Sequence, residues 1–455
     1  MIVIIGGGIT GLAAAYELAT RGVSFVLLEA TDRLGGLVHT EHIEGFTIEL
    51  GADSMLADKP AAIELCQALG LGQRLIATKP PRTSYIHARG TLHPIPSPSV
   101  FGIPVTDAAI ESYDLLSDAA RARLKENVNL APRTSDVDES VADFFRRQFG
   151  PDTVGLIAEP LLAGIHAGDV EQLSMRAVAP RLVQIEAETG GVLKAFRARG
   201  AAASDEGPFR SLQGGMGELV NALLAQLPDG STWLASAATE LARTADAWTV
   251  ASSSNLFTAD AVILATPAHV AARLLGGAAP TLSAICAELP YVSTASVALS
   301  WPRGDVAHPL AGTGFVVAQR HSPLRITACS WVTSKWSGRA PDEMVLLRAF
   351  LGGARDPDVT SLSDAELIAI VARDVSAAVG ITAPPILSRT HRWIAAGAQH
   401  NIGHGERLRR IEAHLQETPG LFVAGSGFRS IGVPDCVAEG RRAASAAADY
   451  VKIRQ

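Results

Sequence analysis

Cysteine is scarce in this chain and never clustered: Cys66, Cys286, Cys329 and Cys436 lie far apart and form no C-x-x-C pair. That excludes a disulfide framework and a thiolate metal site, and it fits a reducing compartment. Basic charge is also short. Lys and Arg number 39 against 46 Asp and Glu, for a formal net charge of −7, so no nucleic acid is expected as partner. An anionic ligand would need a local cluster of Arg, Lys or His. Long hydrophobic runs are missing too. No stretch approaches the roughly 20 apolar residues of a membrane-spanning helix. Met1 leads straight into an apolar strand pattern without a basic leader or cleavage site. The expectation is a cytoplasmic protein, with peripheral membrane contact left open. No Ser-His-Asp arrangement, metal-ligand cluster or solenoid repeat is present. What remains is ordinary for a large enzyme. The 455 residues, 47% hydrophobic and 19% charged, exceed one core and imply two or three lobes.

The chain opens "MIVIIGGGITGLAAAYELATRGVSFVLLEA". Ile2 to Ile5 reads as a parallel strand buried on both faces. Gly6, Gly8 and Gly11 fit G-x-G-x-x-G, with Gly7, Ile9 and Thr10 between them, and a helix-forming stretch follows to Ala19, with a stop at Gly22. Phe25 to Leu28 is a second strand, and Glu29 stands at its end. The parts have separate tasks. Gly6 permits the tight turn, Gly8 lets a pyrophosphate approach the backbone, and Gly11 lets helix and strand pack closely. The helix N-terminus offers free N–H groups and partial positive charge. A carboxylate at Glu29 can accept hydrogen bonds from a ribose diol. Strand, turn, helix, strand and acid in register point to a dinucleotide, leaving NAD and FAD both open.

The next residues bear on that choice. "EATDRLGG" adds Arg33, Gly35 and Gly36 directly after the acid, a second place where backbone can approach a ligand. This segment, Glu29 and Ala30 through Leu37, resembles the FAD-binding signature of the amine oxidase and protoporphyrinogen oxidase superfamily. The resemblance implies noncovalent FAD, with Arg33 near phosphate. It also implies that "ELGADS" carries Gly51, Ala52, Asp53 and Ser54 beneath the flavin ring. Ala238 falls where the family lays a backbone amide against adenine, with Thr239 an equal alternative. "GLFVAGSGFRSIGVPDC" resembles the terminal flavin-binding segment, so Ser426, Ile431, Gly432 and Val433 are expected near the ring or its ribityl chain. Pro434 fits the first position of the closing helix.

Between these ends the pattern divides. "DKPAAIELCQALGLG" reads as a helix with Asp58 as candidate N-cap. Residues 110–199 are mostly helical, and "RARGAAASDEGPFRS" has loop composition. "DAVILATPAHVAARLL" is a buried strand with a helix behind it. Residues 290–351 alternate strand-like runs, and "SLSDAELIAIVARDVSAAVG" is a helix with Ser363 and Glu366 at capping-box spacing. The expected fold is α/β (α+β overall). A discontinuous Rossmann-like FAD-binding domain takes 1–80, 210–275 and 405–455. A mixed-sheet substrate domain takes 81–105 and 280–400, and a helical lobe takes 106–209.

Two segments narrow the substrate by resemblance. "PLLAGIHAGDVEQLSMRAVAPRL" is similar to the A-G-x-x-A-G-D-x-x-x-L-S segment of porphyrinogen oxidases, and "SYIHARGTLHPIPSPSVFGIP" to their strand and loop beside the pocket. The resemblance implies hydride removal from a reduced tetrapyrrole, with oxygen as acceptor and peroxide as product. Gly164 becomes the candidate whose carbonyl stabilises charge on a pyrrole, and His166 a weaker proton acceptor. Arg82, Tyr85, His87 and Arg89, with Lys79 and His93, are candidates for holding the substrate, although strand alternation puts only some of them inside. Plant-type protoporphyrinogen oxidases place an Arg where Ser84 stands. The wording here is closer to bacterial coproporphyrinogen oxidases, whose substrate bears four propionates.

Overall fold

Ile2–Ile5 is buried at all four positions and lies at the centre of a five-stranded parallel sheet. The structure, a computed structural model, describes residues 1–199, 206–244, 246–253, 255–429 and 431–454. Across the sheet the order is Thr232–Trp233, Phe25–Leu28, Ile2–Ile5, Ala261–Leu264 and Leu421–Val423. Alternation explains the unbroken apolar run. Ile2 and Ile4 pack under the helices Ile9–Thr20 and Val433–Arg454, while Val3 and Ile5 pack against Ala268–Leu275 and Pro280–Ala287. Each face therefore needs its own apolar residues. Five strands from distant parts of the chain build one nucleotide-type sheet.

The second sheet has seven strands. Their order is Leu387–Ala398, Tyr291–Pro302, Met344–Gly352, Ala328–Trp331, Gly314–Val317, Ser84–Ala88 and Thr91–Pro94. All pairs are antiparallel except Ser84–Ala88 beside Gly314–Val317, so the sheet is mixed. The helix Asp364–Val379 covers one face, and it opens on the expected Ser363–Glu366 capping box. Residues from Asp107 to Arg199 form the third body, helices around Tyr113, Phe144, Phe145 and Phe149.

Local differences from the sequence reading have simple causes. Asp58 does not cap its helix; Lys59 occupies that place without a side-chain bond, because Pro60 starts the helix one residue later than a cap at Asp58 requires. Pro434 is the second residue of its helix. Arg197 to Arg199 finish the helix Val192–Arg199, and Phe209–Leu212 forms a strand between Met55–Leu56 and Leu75–Ala77. Residues 200–205 of the expected loop lie outside the described residues.

Candidate active site

The two glycine turns meet. Gly35 N–H donates to Gly7 O at 2.8 Å, and Gly8 and Gly35 form an isolated parallel bridge. The second turn is thus a short backbone rail laid along the first. Its shape requires glycine, because Gly35 and Gly36 have φ of +104° and +56°. A Cβ on Gly36 would press against the Gly8 Cα. Arg33 closes this rail: Nη2 donates to Gly36 O at 2.8 Å, and the guanidinium stands 5.8 Å from the Trp393 ring.

The helix Ile9–Thr20 begins at Gly8 with no side-chain cap and no acid in its first turn. Its free N–H groups and dipole therefore face whatever lies above the turn, a fit for pyrophosphate. Glu29 Oε2 accepts from Gly7 N–H at 2.8 Å, while Oε1 accepts from Thr31 N–H and Thr31 Oγ1, each at 2.8 Å. The carboxylate staples the end of the second strand to the first turn and keeps about one lone pair for a further donor. Glu29→Ala is expected to weaken FAD binding by ~1.5–3 kcal/mol, the usual cost of a charge-assisted bond. Fluorescence titration of the apoprotein checks this, and unchanged affinity would mean a merely solvated acid. Beyond Glu29, Ala235 N–H and Ser236 N–H donate to Thr31 O and Glu29 O. Ala238 pairs with Ser252 at the start of its own ladder.

The segment Glu49 to Asp53 is held by the seven-stranded sheet. Leu50 O accepts from Trp393 Nε1 at 2.9 Å, Ser296 Oγ at 3.1 Å and Arg348 Nη2 at 3.1 Å. Gly51 O accepts from the same Arg348 nitrogen at 2.6 Å. Asp53 pairs with Lys335 Nζ at 2.7 Å and accepts from Ser54 Oγ. Burial alone would raise its carboxyl, but Lys335 and Arg348 hold it well below the usual range. Glu49 accepts from Met216 N–H and Thr40 Oγ1, each at 2.7 Å, and burial pushes its pKa up despite Arg339. Sequence reading missed Arg348, Lys335 and Trp393. The available signal was a lone Arg inside the apolar strand "EMVLLRAFL".

Gly164 to His166 is a helical turn that ends a ten-residue π-helix, Val154–Ala163. Such widened helices cluster at functional sites. Gly164 faces Val316 of the mixed sheet and lines a cavity of about 20 Å³ with Glu159, Val317, Thr327 and Arg355. Glu159 pairs with both Arg355 and Arg320; burial raises its pKa, and the two arginines oppose that. His166 Nδ1 is buried without a partner, and burial, then His400, brings the ring's pKa down to about 4. The imidazole is neutral near pH 7 and a weak base.

The substrate-side candidates are dispersed. Ile86 lies level with Val316, on the side of Gly164, whereas Tyr85 and His87 point to the core under Asp364–Val379. Tyr85 donates to Ala311 O and packs on Trp331. His87 is buried against Ser322 Oγ at 2.9 Å. Arg82 turns back to Thr78, and Arg89 reaches Leu115 O. Lys79 donates to Thr333 O, and His93 pairs with Asp114. The structure brings none of the six onto Gly164, since alternation and local carbonyls claim them first.

In the C-terminal segment Cys436 N–H donates to Gly432 O at 2.9 Å, so Gly432 and Val433 start the last helix. That helix crosses Ile9–Thr20 at Gly440, where an added methyl would collide with Thr10 O. Ser426 lies in the preceding turn and Ile431 just before the helix. Among the described residues no helix is long and apolar enough to cross a membrane.

Known proteins extend this picture. Residues 9–448 match the family model described as flavin containing amine oxidoreductase. A protein named coproporphyrinogen III oxidase from Bacillus subtilis is 34% identical, over 99% of this chain and 98% of its own length. A mitochondrial protoporphyrinogen oxidase of Nicotiana tabacum is 27% identical over 99% and 95%. The solved structure of a protein from Exiguobacterium, 31% identical, covers 100% of this chain and 99% of its own with a TM-score of 0.88.

Proposed function

This chain belongs to the flavin containing amine oxidoreductase family, and from that premise we propose that it oxidises coproporphyrinogen III to coproporphyrin III in haem biosynthesis. The observation that carries the reading is the paired glycine rail over an uncapped helix N-terminus, in a chain similar from end to end to a coproporphyrinogen III oxidase. Gly6 to Gly11, Glu29, Arg33 to Leu37, Gly51 to Ser54 and the residues from Ser426 to Val433 would hold FAD. Bound there, FAD supplies a hydride acceptor that oxygen can restore, with hydrogen peroxide as the second product.

The chain's own work is positioning. The rail and the Arg348-held segment fix where the ring would lie. Gly164 lines the cavity beside the mixed sheet, and its carbonyl would accept a hydrogen bond from a pyrrolic N–H as positive charge grows there. His166, neutral, packs rather than carries the proton. Ser84 bonds Thr313 at 2.8 Å, so the Arg expected of the plant-type enzymes is replaced by a hydroxyl already in use. A cytoplasmic setting fits four buried cysteines that form no disulfide. The second reading is protoporphyrinogen IX as substrate, favoured by the tobacco relative.

Purified protein is expected to be yellow and to release intact FAD on denaturation. Under air it should turn coproporphyrinogen III into fluorescent porphyrin with peroxide, and with higher kcat/KM than protoporphyrinogen IX. A clear preference for protoporphyrinogen IX reverses the assignment. A colourless protein that stays inactive after reconstitution with FAD ends it.

A further inference from the structure

Two histidines outside every motif meet beside the C-terminal loop. His400 and His404 are 1% and 2% exposed, and their rings stack at 4.0 Å with an interplanar angle of 20°. Each spends one nitrogen on that loop: His400 Nε2 lies 3.0 Å from Ser426 O, and His404 Nε2 lies 2.5 Å from Phe428 O. A carbonyl oxygen accepts only, so both rings donate from Nε2–H. Nδ1 is then the bare nitrogen of a neutral ring. In His404 that Nδ1 is buried without any partner.

We propose that His400 and His404 are positioning residues, a stacked pair of neutral imidazoles that clamps the loop from Gly425 to Phe428 in its FAD-receiving shape and releases it in acid. The inference rests on the reading of that loop as part of the flavin site. Three features of the geometry set the acid sensitivity. A proton added to His404 Nδ1 finds no acceptor. Two imidazolium rings at this separation repel strongly in a buried site. His404 is also the first residue of the helix His404–Gln416, where the dipole disfavours a cation.

The neighbours mostly reinforce this. His166 on the helical turn Gly164–His166 would repel a charge on His400, Lys59 near His166 is itself paired with Asp435 at 2.6 Å, and Arg407 stands one turn along from His404. Asp138 opposes them, but its two oxygens already accept from Gly403 N–H at 2.9 Å and Ser174 Oγ at 2.6 Å. Burial brings the pKa of His404 down to about 4, and that of His400 below its ordinary value despite the Ser426 carbonyl. The sign follows. A ring whose pKa is lower with the loop closed than with it open supports closure fully above the ordinary value near 6.5. That support is lost as pH falls from there toward about 4.

The test is FAD affinity, read from the fluorescence of released flavin, with no porphyrinogen present. Between pH 7.5 and 5.5 the wild-type Kd should rise by up to about tenfold for each ring that titrates on opening. Glutamine keeps a donor near the Nε2 position but cannot titrate. His400→Gln/His404→Gln should therefore bind within about threefold of wild type at pH 7.5 and lose most of the acid rise. His404→Leu, with no donor, should bind FAD more weakly at both pH values. A double-glutamine variant with the wild-type pH slope overturns the proposal, as does wild-type affinity in His404→Leu. Should the variants fail to fold, NMR of the wild-type holoprotein decides: His404 is expected neutral at pH 5.5 and both rings to titrate below the ordinary value, and titration near 6.5 with FAD bound overturns the clamp. A chain that binds no FAD at any pH defeats the flavin reading, whereas one that binds it without pH dependence defeats only this inference.

Discussion

Gly11→Ala is expected to leave a folded protein that no longer retains FAD, with affinity reduced at least about 100-fold. A Cβ at Gly11 points straight at the Gly6 carbonyl, with Leu27 close behind. Neither can yield cheaply. The Gly6 N–H donates to Leu28 O at 2.8 Å, and Leu27 is fully buried in the sheet. Relief therefore comes from moving the helix Ile9–Thr20 away from the turn, which carries the free N–H groups off their target. Overpacking of this kind costs about 1–3 kcal/mol, and loss of the anion site adds to it at the rate of about 1.4 kcal/mol per tenfold in affinity. The measurement is flavin absorbance per chain after gel filtration, with circular dichroism to show that the fold persists. Near-stoichiometric FAD in this variant would mean the turn is not the phosphate site.

Arg348→Met should lose about 3–5 kcal/mol of stability, the cost of leaving buried partners of an ion pair unmatched. Arg348 is 5% exposed in the middle of a strand, and it serves Leu50 O and Gly51 O while its charge supports Asp53 and Glu49. Leu50 O would retain Trp393 and Ser296 as donors. Gly51 O loses its short bond, and Asp53 keeps its ion pair with Lys335 but loses the charge of Arg348. The segment proposed to run beneath the flavin should then shift. Urea denaturation at pH 7.5 gives the stability, and the flavin absorption spectrum of reconstituted protein reports the shift. The loss should be largest near neutral pH and shrink in acid, as the Asp53 and Glu49 carboxylates that Arg348 supports take up protons. Arg348→Lys should fall between the two, since an ammonium keeps the charge but not the fork. A methionine variant as stable as wild type would show that the charge network is dispensable.

Local patterns made the first half of the site legible. A four-residue apolar run, three glycines at fixed offsets and an acid at the next strand end act within about thirty residues. Backbone sterics and helix polarity there leave few alternatives. The capping box at Ser363 was readable for the same reason: both partners lie in one helical turn. Asp58 failed as a cap because a cap depends on where the helix starts, and Pro60 moved that start.

What the sequence by itself determined is the cofactor chemistry, the α/β class and, through resemblance, the substrate class, since each resides in short contiguous signatures. Only the tertiary structure decided which side chains support the site. Alternation turned Tyr85 and His87 away from Gly164 once the strand Ser84–Ala88 took its register beside Gly314–Val317. Arg348 reaches Leu50 and Gly51 across 298 and 297 positions of sequence, and His404 meets Phe428 only because a helix start and a loop are packed together. A buried charge or imidazole is stable only with partners. Those partners come from the sheet and helix packing, which no local pattern in the chain specifies.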